Sequence, residues 1–315
     1  MGVFRQRIDV PVTVSGVGTV TIATWLSIPE THDRDLLQVL VHGATYNHIY
    51  WDFPYQPETY SYVAWADGQG FATLAIDQLG VGESSRPRGE LLTHHCLAES
   101  LHRLVDIIRG PGIGGHSFRR VVSVGHSAGS LASGLEAGTY GDVDGVVLTG
   151  ILGPNASGIV NDDKRILGAF VPVADDPILR HLPVAADPGY MTLLPQARVP
   201  LFYRVPPADP TLIVVDETLK DVMTVGQWAT HGDAAEACGS IPCPTLVING
   251  QYDAFHFDPG VDADIGSVLA RAERAAPAHY TFAPPVADMG HNLNQHPEAR
   301  GFYESIGKWL RTTLL

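Results

Sequence analysis

Cysteine is scarce in this sequence. The 315 residues include three cysteines, Cys96, Cys238 and Cys243, which are too few for a disulfide framework. A bridge between Cys238 and Cys243 stays open as an alternative, but we expect free thiols. The protein must therefore be held together by a hydrophobic core.

Positive charge and long apolar segments are also lacking. The chain carries 20 Lys and Arg against 34 Asp and Glu, a formal net charge of −14. Nucleic acid and anionic membrane surfaces repel such a protein. No apolar run reaches membrane-spanning length, and residues 1–14 lack the apolar segment and cleavage site of a signal peptide. We expect a cytoplasmic protein that acts on a small-molecule substrate, either as a monomer or as a homodimer.

What is present is an alternation of strand and helix patterns. Residues 3–14 and 18–28 predict an antiparallel hairpin, since apolar and polar residues alternate on both sides of a glycine-rich turn. Further strands are predicted at 36–41, 71–76, 119–124, 145–150, 244–250 and 278–283, and helices at 58–69, 93–109, 127–138, 261–275 and 297–314. This order predicts an α/β fold, with a doubly wound, mostly parallel sheet. The active site of such a sheet lies at the carboxyl ends of its strands.

The alternation is interrupted from residue 154 to residue 231. Prolines are frequent there, strand patterns are few, and short helices between prolines fit best. The segment is too long for a structureless loop in a compact domain. We therefore predict a core formed by residues 1–153 and 232–315, with residues 154–231 inserted as a mainly helical cap.

The strongest motif is Gly125-His126-Ser127-Ala128-Gly129, which follows a β-branched run and precedes a helix-forming stretch. This is the pattern of a nucleophile elbow, in which a serine lies on a tight strand-to-helix turn. Glycines on either side remove side chains that would collide where strand and helix crowd together. Ser127 is the predicted nucleophile.

A serine nucleophile needs a general base and a group that orients the base. His291 follows the last predicted strand in a glycine-bracketed loop, and Asp253 follows the strand before it. We predict His291 as the base, with His296 as its nearest rival. Asp253 is the predicted acid, with Asp258 and Asp288 as less well placed alternatives.

Two backbone N–H groups are predicted to bind the oxyanion. Ala44 follows His42-Gly43 at the end of the first buried strand, and Ala128 follows the nucleophile. A backbone donor requires no particular side chain, so alanine serves at both positions. We expect His42 to anchor its loop.

Other polar residues are expected to be structural. His126 is predicted to pack, and Asp77 to hold a tight turn through its side chain. His94-His95 lacks a third ligand at zinc-like spacing, so we predict neither a metal nor a cofactor.

Aromatic and large apolar residues near the predicted site suggest an apolar pocket. One group follows Ala44 in the chain, and a second lies in the predicted cap. The candidate substrate-binding residues are Tyr46, Tyr50, Trp51, Phe170, Met191, Tyr203 and Trp228. Packing within the loop is the alternative role, expected for Phe53 and considered for Trp51.

Together these motifs resemble the α/β-hydrolase superfamily, in its capped, serine-esterase-like form. The resemblance rests on His42-Gly43, Asp77-x-x-Gly80-x-Gly82-x-Ser84, the elbow, Asp253 after Gly250, and Gly290-His291-Asn292. It implies Ser127 as nucleophile, His291 as base, Asp253 as acid, and Ala44 and Ala128 as oxyanion donors. Cap residues vary widely in the superfamily, so the resemblance does not identify the substrate.

The leading expectation for function is hydrolysis of a carboxylic ester, lactone or thioester of a neutral, hydrophobic small molecule through an acyl-enzyme. Epoxide hydrolases and haloalkane dehalogenases of this fold use an aspartate at the elbow, and Ser127 argues against their chemistry. Acyl transfer to an alcohol, a cyclase or lyase reaction, and non-hydrolytic binding stay open as alternatives.

Overall fold

The computed structural model describes residues 2–31, 35–152, 168–256 and 264–315. Its strands are β1 (Val3–Val14), β2 (Gly18–Pro29), β3 (Leu36–Val41), β4 (Ala72–Ile76), β5 (Arg120–His126), β6 (Gly145–Thr149), β7 (Phe170–Pro172), β8 (Tyr190–Leu193), β9 (Met223–Thr224), β10 (Thr245–Ile248) and β11 (Tyr280–Phe282). Its helices are α1 (Pro57–Tyr60), α2 (Tyr62–Gln69), α3 (His94–Arg109), α4 (Ala128–Tyr140), α5 (Pro195–Phe202), α6 (Pro210–Leu219), α7 (Val225–Ala229), α8 (His231–Ala237), α9 (Ile265–Ala275) and α10 (Ala299–Thr313). The predicted strands and helices in the described residues are present with small shifts at the ends, except that the region predicted as one helix over residues 58–69 is divided.

Eight of the described strands form one sheet in the order β1-β2-β4-β3-β5-β6-β10-β11. The hairpin strands β1 and β2 pair antiparallel, as does β2 with β4, and every other neighbouring pair is parallel. The prediction of a doubly wound, mostly parallel sheet is confirmed. The carboxyl ends of β3, β5, β6, β10 and β11 therefore lie along one edge.

Both faces of the sheet are covered by core residues. In β3, Leu37, Val39 and Val41 belong to one apolar cluster, whereas Leu36 and Leu40 belong to another on the opposite face. All of them are buried, because helices pack on both sides of a parallel sheet. This explains why the strand reads as a continuous apolar run rather than as an alternating one.

The region predicted as residues 58–69 is two short helices rather than one. Ser61 separates α1 from α2, and its backbone is extended. Its hydroxyl accepts a hydrogen bond from the backbone N–H of Ala64, which caps α2. The periodicity of the sequence continues across this break, so it does not reveal it.

The described part of the predicted cap, residues 168–231, contains a feature that the sequence analysis missed. Besides short helices, β7, β8 and β9 form a three-stranded antiparallel sheet. The buried Lys220 ammonium donates to Asp176 over 2.6 Å and to the Leu193 carbonyl over 3.1 Å, which ties this small sheet to its neighbouring turns. These strands have two to four residues each, too short to give a period-2 pattern. Residues 154–167 of the prediction lie outside the described residues.

Cys96, Cys238 and Cys243 are free thiols, as expected. Within the described ranges, no helix is both long and apolar enough to cross a bilayer.

Candidate active site

Ser127 lies on the sharp turn between β5 and α4. Its backbone has φ 51° and ψ −120°, a region that residues with side chains rarely adopt. A Cβ on Gly125 would lie 2.5 Å from Ser130 Cα, and one on Gly129 would lie 2.3 Å from the His42 carbonyl oxygen. The two glycines are thus required by the close approach of strand and helix. The strained turn presents the serine at the carboxyl edge of the sheet.

His291 and Asp253 form a buried pair. Nδ1 of His291 lies 3.0 and 2.9 Å from the two carboxylate oxygens of Asp253, so it must carry the proton that the carboxylate accepts. Burial by itself raises the pKa of Asp253, but the charges of His291 and His256, with hydrogen bonds from His291 and from the Phe255 backbone, together outweigh burial and lower it. Asp253 therefore stays ionised beside the imidazole. Among the alternative acids, Asp288 is exposed and Asp258 lies outside the described residues.

The remaining ring nitrogen of His291 is buried without a hydrogen-bond partner in the described part of the chain. Because Nδ1 holds the proton, Nε2 carries a lone pair. Ser127 and His291 line the same cavity, which offers about 70 Å³ to the centres of water-sized molecules. This is room for a few waters or a compact substrate group. Phe255 and Phe202 pack against the imidazole, with ring centroids 4.3 and 5.8 Å away.

Ala44 and Ala128 also line this cavity. Ala128 begins α4, where the backbone N–H groups have no partner within the helix and the dipole favours negative charge. Ala44 lies in the loop after β3. Its neighbour Thr45 adopts a left-handed conformation, with φ 62°. The structure brings the two predicted donors to one cavity with Ser127.

A buried polar network supports the loop that contains Ala44. Arg198, on α5, donates to the Thr45 hydroxyl over 2.7 Å and to Asp216 over 2.5 Å. Tyr46 donates to the same Asp216 carboxylate over 3.0 Å, and Gln295 donates to its other oxygen over 2.9 Å. The network joins the loop after β3 to the segment between β6 and β10 and to the region after His291.

Asn292, next to His291, extends this network by donating to Gln295 over 2.7 Å and to the Tyr46 oxygen. No local sequence pattern marks Arg198 and Asp216, because only the folded chain brings them together.

Three of the predicted substrate-binding residues line the cavity: Tyr46, Phe170 and Trp228. The other four do not. Tyr50 is buried and stacks on His126 at 4.4 Å between ring centroids, and Trp51 is fully buried against Tyr62.

Met191 and Tyr203 are the other two predicted residues that do not line the cavity. Met191 lies in β8, paired with Met223, and Tyr203 is buried with its hydroxyl donating to Gln295 over 3.1 Å. These four residues do not line the described cavity: Tyr50, Trp51 and Tyr203 are buried by packing, and Met191 is half-buried in the small sheet.

The cavity also has lining residues that the sequence analysis did not assign to it. Apolar ones include Leu131, Ile151, Leu193, Phe202, Met223 and Phe255. Four more are histidines, His94, His126, His231 and His256, and of these His126 was expected only to pack. The His94-His95 sequence carries no local pattern that marks a position in a cavity wall, since only the fold brings His94 beside His231.

Several other expectations about polar residues agree with the observed contacts. His42 accepts from the Gln78 backbone N–H over 3.1 Å and anchors its loop. Asp77 accepts from the backbone N–H groups of His48 and Glu83, both over 2.7 Å. His296 accepts at Nε2 from the Gly290 and Arg204 backbones over 3.1 and 3.0 Å, which occupies the nitrogen that a general base would need.

One group of three potential metal ligands is found among the described residues. His102, Asp106 and Asp142 lie together at the surface, away from the residues that line the cavity. His102 Nδ1 is 2.5 Å from Asp142, and its ring stacks on Tyr140. These contacts account for the cluster without a metal.

The sequence from residue 38 to residue 300 matches the model of the alpha/beta hydrolase family. The chain belongs to this family. The match covers most of the core and includes Ser127, Asp253 and His291. The search of curated proteins gives no match.

Solved structures of similar fold agree with this assignment. A mutant of the N-acyl homoserine lactonase AidH, complexed with N-hexanoyl homoserine, is 14% identical with a TM-score of 0.61, and the alignment covers 99% of this chain and 98% of that one. A mutant of the meta-cleavage product hydrolase CumD is 16% identical with a TM-score of 0.59, covering 97% and 99%. A putative lipase from Acinetobacter baumannii AYE is 16% identical with a TM-score of 0.58, covering 97% and 91%. At these identities the similarity shows the fold.

Proposed function

We propose that this alpha/beta hydrolase is a serine hydrolase that cleaves a carboxylic ester, lactone or thioester of a neutral small molecule through an acyl-enzyme. The observation that carries the proposal is the arrangement around His291. One ring nitrogen is held by Asp253, and the other is unpartnered and buried at the cavity that Ser127 lines. This is the arrangement that nucleophilic acyl transfer requires.

In the proposed mechanism, the Ser127 oxygen attacks the carbonyl carbon while His291 Nε2 takes the hydroxyl proton. Asp253 stabilises the imidazolium that forms. The backbone N–H groups of Ala44 and Ala128 bind the oxyanion of the tetrahedral intermediate. His291 then gives the proton to the leaving oxygen or sulfur, and water repeats the sequence on the acyl-enzyme.

We also propose that residues 154–231 act as a cap over this site. Phe170, Leu193, Phe202, Met223 and Trp228 all come from the described part of this segment and all line the cavity. Their apolar side chains favour a neutral substrate, because burying an unpaired charge is costly.

The test is covalent labelling of the nucleophile. The protein is incubated with a fluorophosphonate, and separately with a panel of esters, lactones and thioesters, and the intact mass is followed. We expect a mass increase in the wild type and none in Ser127→Ala, whose turnover falls by roughly 10⁴- to 10⁶-fold. Ser117→Ala, at an exposed serine, is the matched control and keeps full labelling.

Near-normal turnover by Ser127→Ala would refute the assignment of the nucleophile. An acyl-enzyme that forms but is released only by an added alcohol would instead identify an acyltransferase. Turnover without any acyl-enzyme would favour a lyase or cyclase.

A further inference from the structure

His256 is a buried histidine that the proposed mechanism does not use. It lies three residues after Asp253, lines the cavity with Ser127 and His291, and is 6% exposed. Its ring centroid lies 6.4 Å from that of His291. Its position beside the reacting groups raises the question of what its ring contributes there.

The contacts of His256 fix which ring nitrogen carries the proton. Nε2 lies 2.8 Å from the carbonyl oxygen of Gly150, which can only accept, so Nε2 must donate. Burial lowers the pKa of His256. The charge of Asp253 raises this pKa and that of His291 lowers it, but burial has the largest effect, so the ring is neutral. Nδ1 is then an acceptor with a free lone pair.

That acceptor has no partner among the residues that the structure describes. Nε2 of His291 and Nε2 of His126 are also unpartnered, on residues that line the same cavity. Ser127 can donate its hydroxyl to His291, but this leaves Nδ1 of His256 unsatisfied. A buried acceptor without a donor is unfavourable, and a substrate O–H group can supply what is missing.

Two further histidines extend this polar strip along the cavity. The rings of His231 and His94 lie with centroids 6.2 Å apart, and both residues line the cavity. Burial lowers the pKa of His231 to about 4, with a further contribution from His256, and lowers that of His94 to about 3. Nδ1 of His94 is likewise buried and unpartnered in the described chain. These rings are neutral, so they suit hydroxyl groups rather than anions.

We propose that His256 forms a hydrogen-bonding subsite for a hydroxyl group of the substrate, with His231 and His94 continuing it, so that the enzyme prefers hydroxylated neutral esters. This inference rests on the proposed ester hydrolysis and specifies its substrate class. A site built to bind a hydroxyl discriminates against analogues that lack it, because the acceptor is then left unpaired.

The experiment compares matched esters. p-Nitrophenyl phenylacetates carry a hydroxyl at the meta or para position, and each is compared with its methyl ether and with the unsubstituted ester. p-Nitrophenyl 3-hydroxybutanoate, 3-methoxybutanoate and butanoate form a second, smaller set. For at least one position, we expect kcat/KM of the hydroxy ester to exceed that of its methyl ether and of the unsubstituted ester by about tenfold or more.

His256→Gln tests the residue. The glutamine amide can still donate to Gly150, but it places no acceptor at the position of Nδ1. We expect the hydroxy-to-methoxy ratio of kcat/KM to fall to within about twofold of unity. His181→Gln is the matched control, since His181 also bonds a backbone carbonyl, that of Ile178, but is exposed. Its ratio should equal that of the wild type.

The wild-type ratio alone can overturn the inference, whether or not His256→Gln folds. Ratios near one at every position, in a wild-type enzyme that turns over the esters, would refute the subsite and leave the proposed hydrolysis standing. A hydroxy-to-methoxy ratio that His256→Gln leaves unchanged would also refute the subsite. If acyl-enzyme accumulates in that variant as well, His256 acts on the deacylating water instead. Failure of the wild type to label with a fluorophosphonate or to cleave any ester would refute the proposed function itself.

Discussion

Replacing Arg198 by methionine should destabilise the protein far more than replacing a surface arginine. The Arg198 side chain is 1% exposed and its partner Asp216 is 2% exposed, with 2.5 Å between nitrogen and oxygen. Methionine fills similar space but leaves the Asp216 carboxylate buried without its cation. Breaking a buried pair in this way costs about 3–5 kcal/mol. For a chain of this length, that lowers Tm by roughly 5–8 °C.

A double-mutant cycle separates the pair from the packing of its members. Asp216→Asn removes the negative charge and keeps the size of the side chain, so Arg198→Met in that background no longer leaves an unpaired charge in the interior. We expect the double variant to be more stable than the sum of the single losses predicts, by about 1–3 kcal/mol. Urea unfolding of the four proteins gives the free energies of unfolding.

The matched control is Arg300→Met, which breaks an exposed pair with Glu304 whose side chains are 70% and 62% exposed. Such pairs contribute about 0–1 kcal/mol. The prediction fails if Arg198→Met lowers the free energy of unfolding by no more than Arg300→Met does. It also fails if the losses of the two single variants are additive, because Arg198 and Asp216 would then not be coupled as a buried charge pair. Because Arg198 also bonds Thr45 beside Ala44, the variant should lower kcat more than it changes KM.

Three further predictions concern the site and its surroundings. Asp253→Asn should lower kcat by roughly 10⁴-fold in steady-state kinetics, because an amide neither holds the Nδ1–H tautomer nor stabilises the imidazolium. If the variant stays active, a residue other than Asp253 orients the base. Burial lowers the pKa of His94 to about 3 and the pKa values of His231 and His296 to about 4. In the unfolded chain the pKa of a histidine is about 6.5, so below that pH the unfolded chain binds more protons than the folded protein does. Stability should therefore be full above that pH and fall below it, on the order of 1 kcal/mol per pH unit for each such histidine, until the folded pKa values are approached. Urea unfolding between pH 7.5 and 4.5 measures the free energy of unfolding, and a constant value from pH 7 to 5 would contradict the prediction. The apolar cavity wall should make the wild type prefer medium-chain over acetate p-nitrophenyl esters, and Trp228→Ala should reduce that preference by about tenfold. A preference that does not change would show that this ring does not shape the cavity.

The elements that position the candidate site could be predicted because their signals are local. The run before Ser127 predicts β5, and the glycines around the serine predict the tight turn that the backbone angles show. The parallel strands then place the chain after β3, β5, β10 and β11 along one edge. From strand order alone, Asp253 and His291 were expected on neighbouring loops, and their side chains do meet.

The cavity wall could not be predicted in the same way. Tyr46 and Tyr50 belong to one aromatic loop, yet Tyr46 lines the cavity while Tyr50 stacks on His126 inside the protein. No period distinguishes them, because the loop between β3 and α1 is neither helix nor strand over most of its length. Which ring faces the cavity depends on partners far away in the sequence, such as Asp216 and Asn292.

The histidines around the cavity differ in how far the local sequence predicts their positions. His291 could be identified because its loop follows a strand whose end is fixed by the sheet. His256 lines the same cavity, but it is held by the carbonyl of Gly150, 106 positions earlier in the chain, a contact that no local pattern records. The groups that would carry out the chemistry therefore follow from the order of strands, whereas the groups that would select the substrate follow from long-range contacts. Such contacts are where substrate selection can change while the fold and its strand-end residues stay the same.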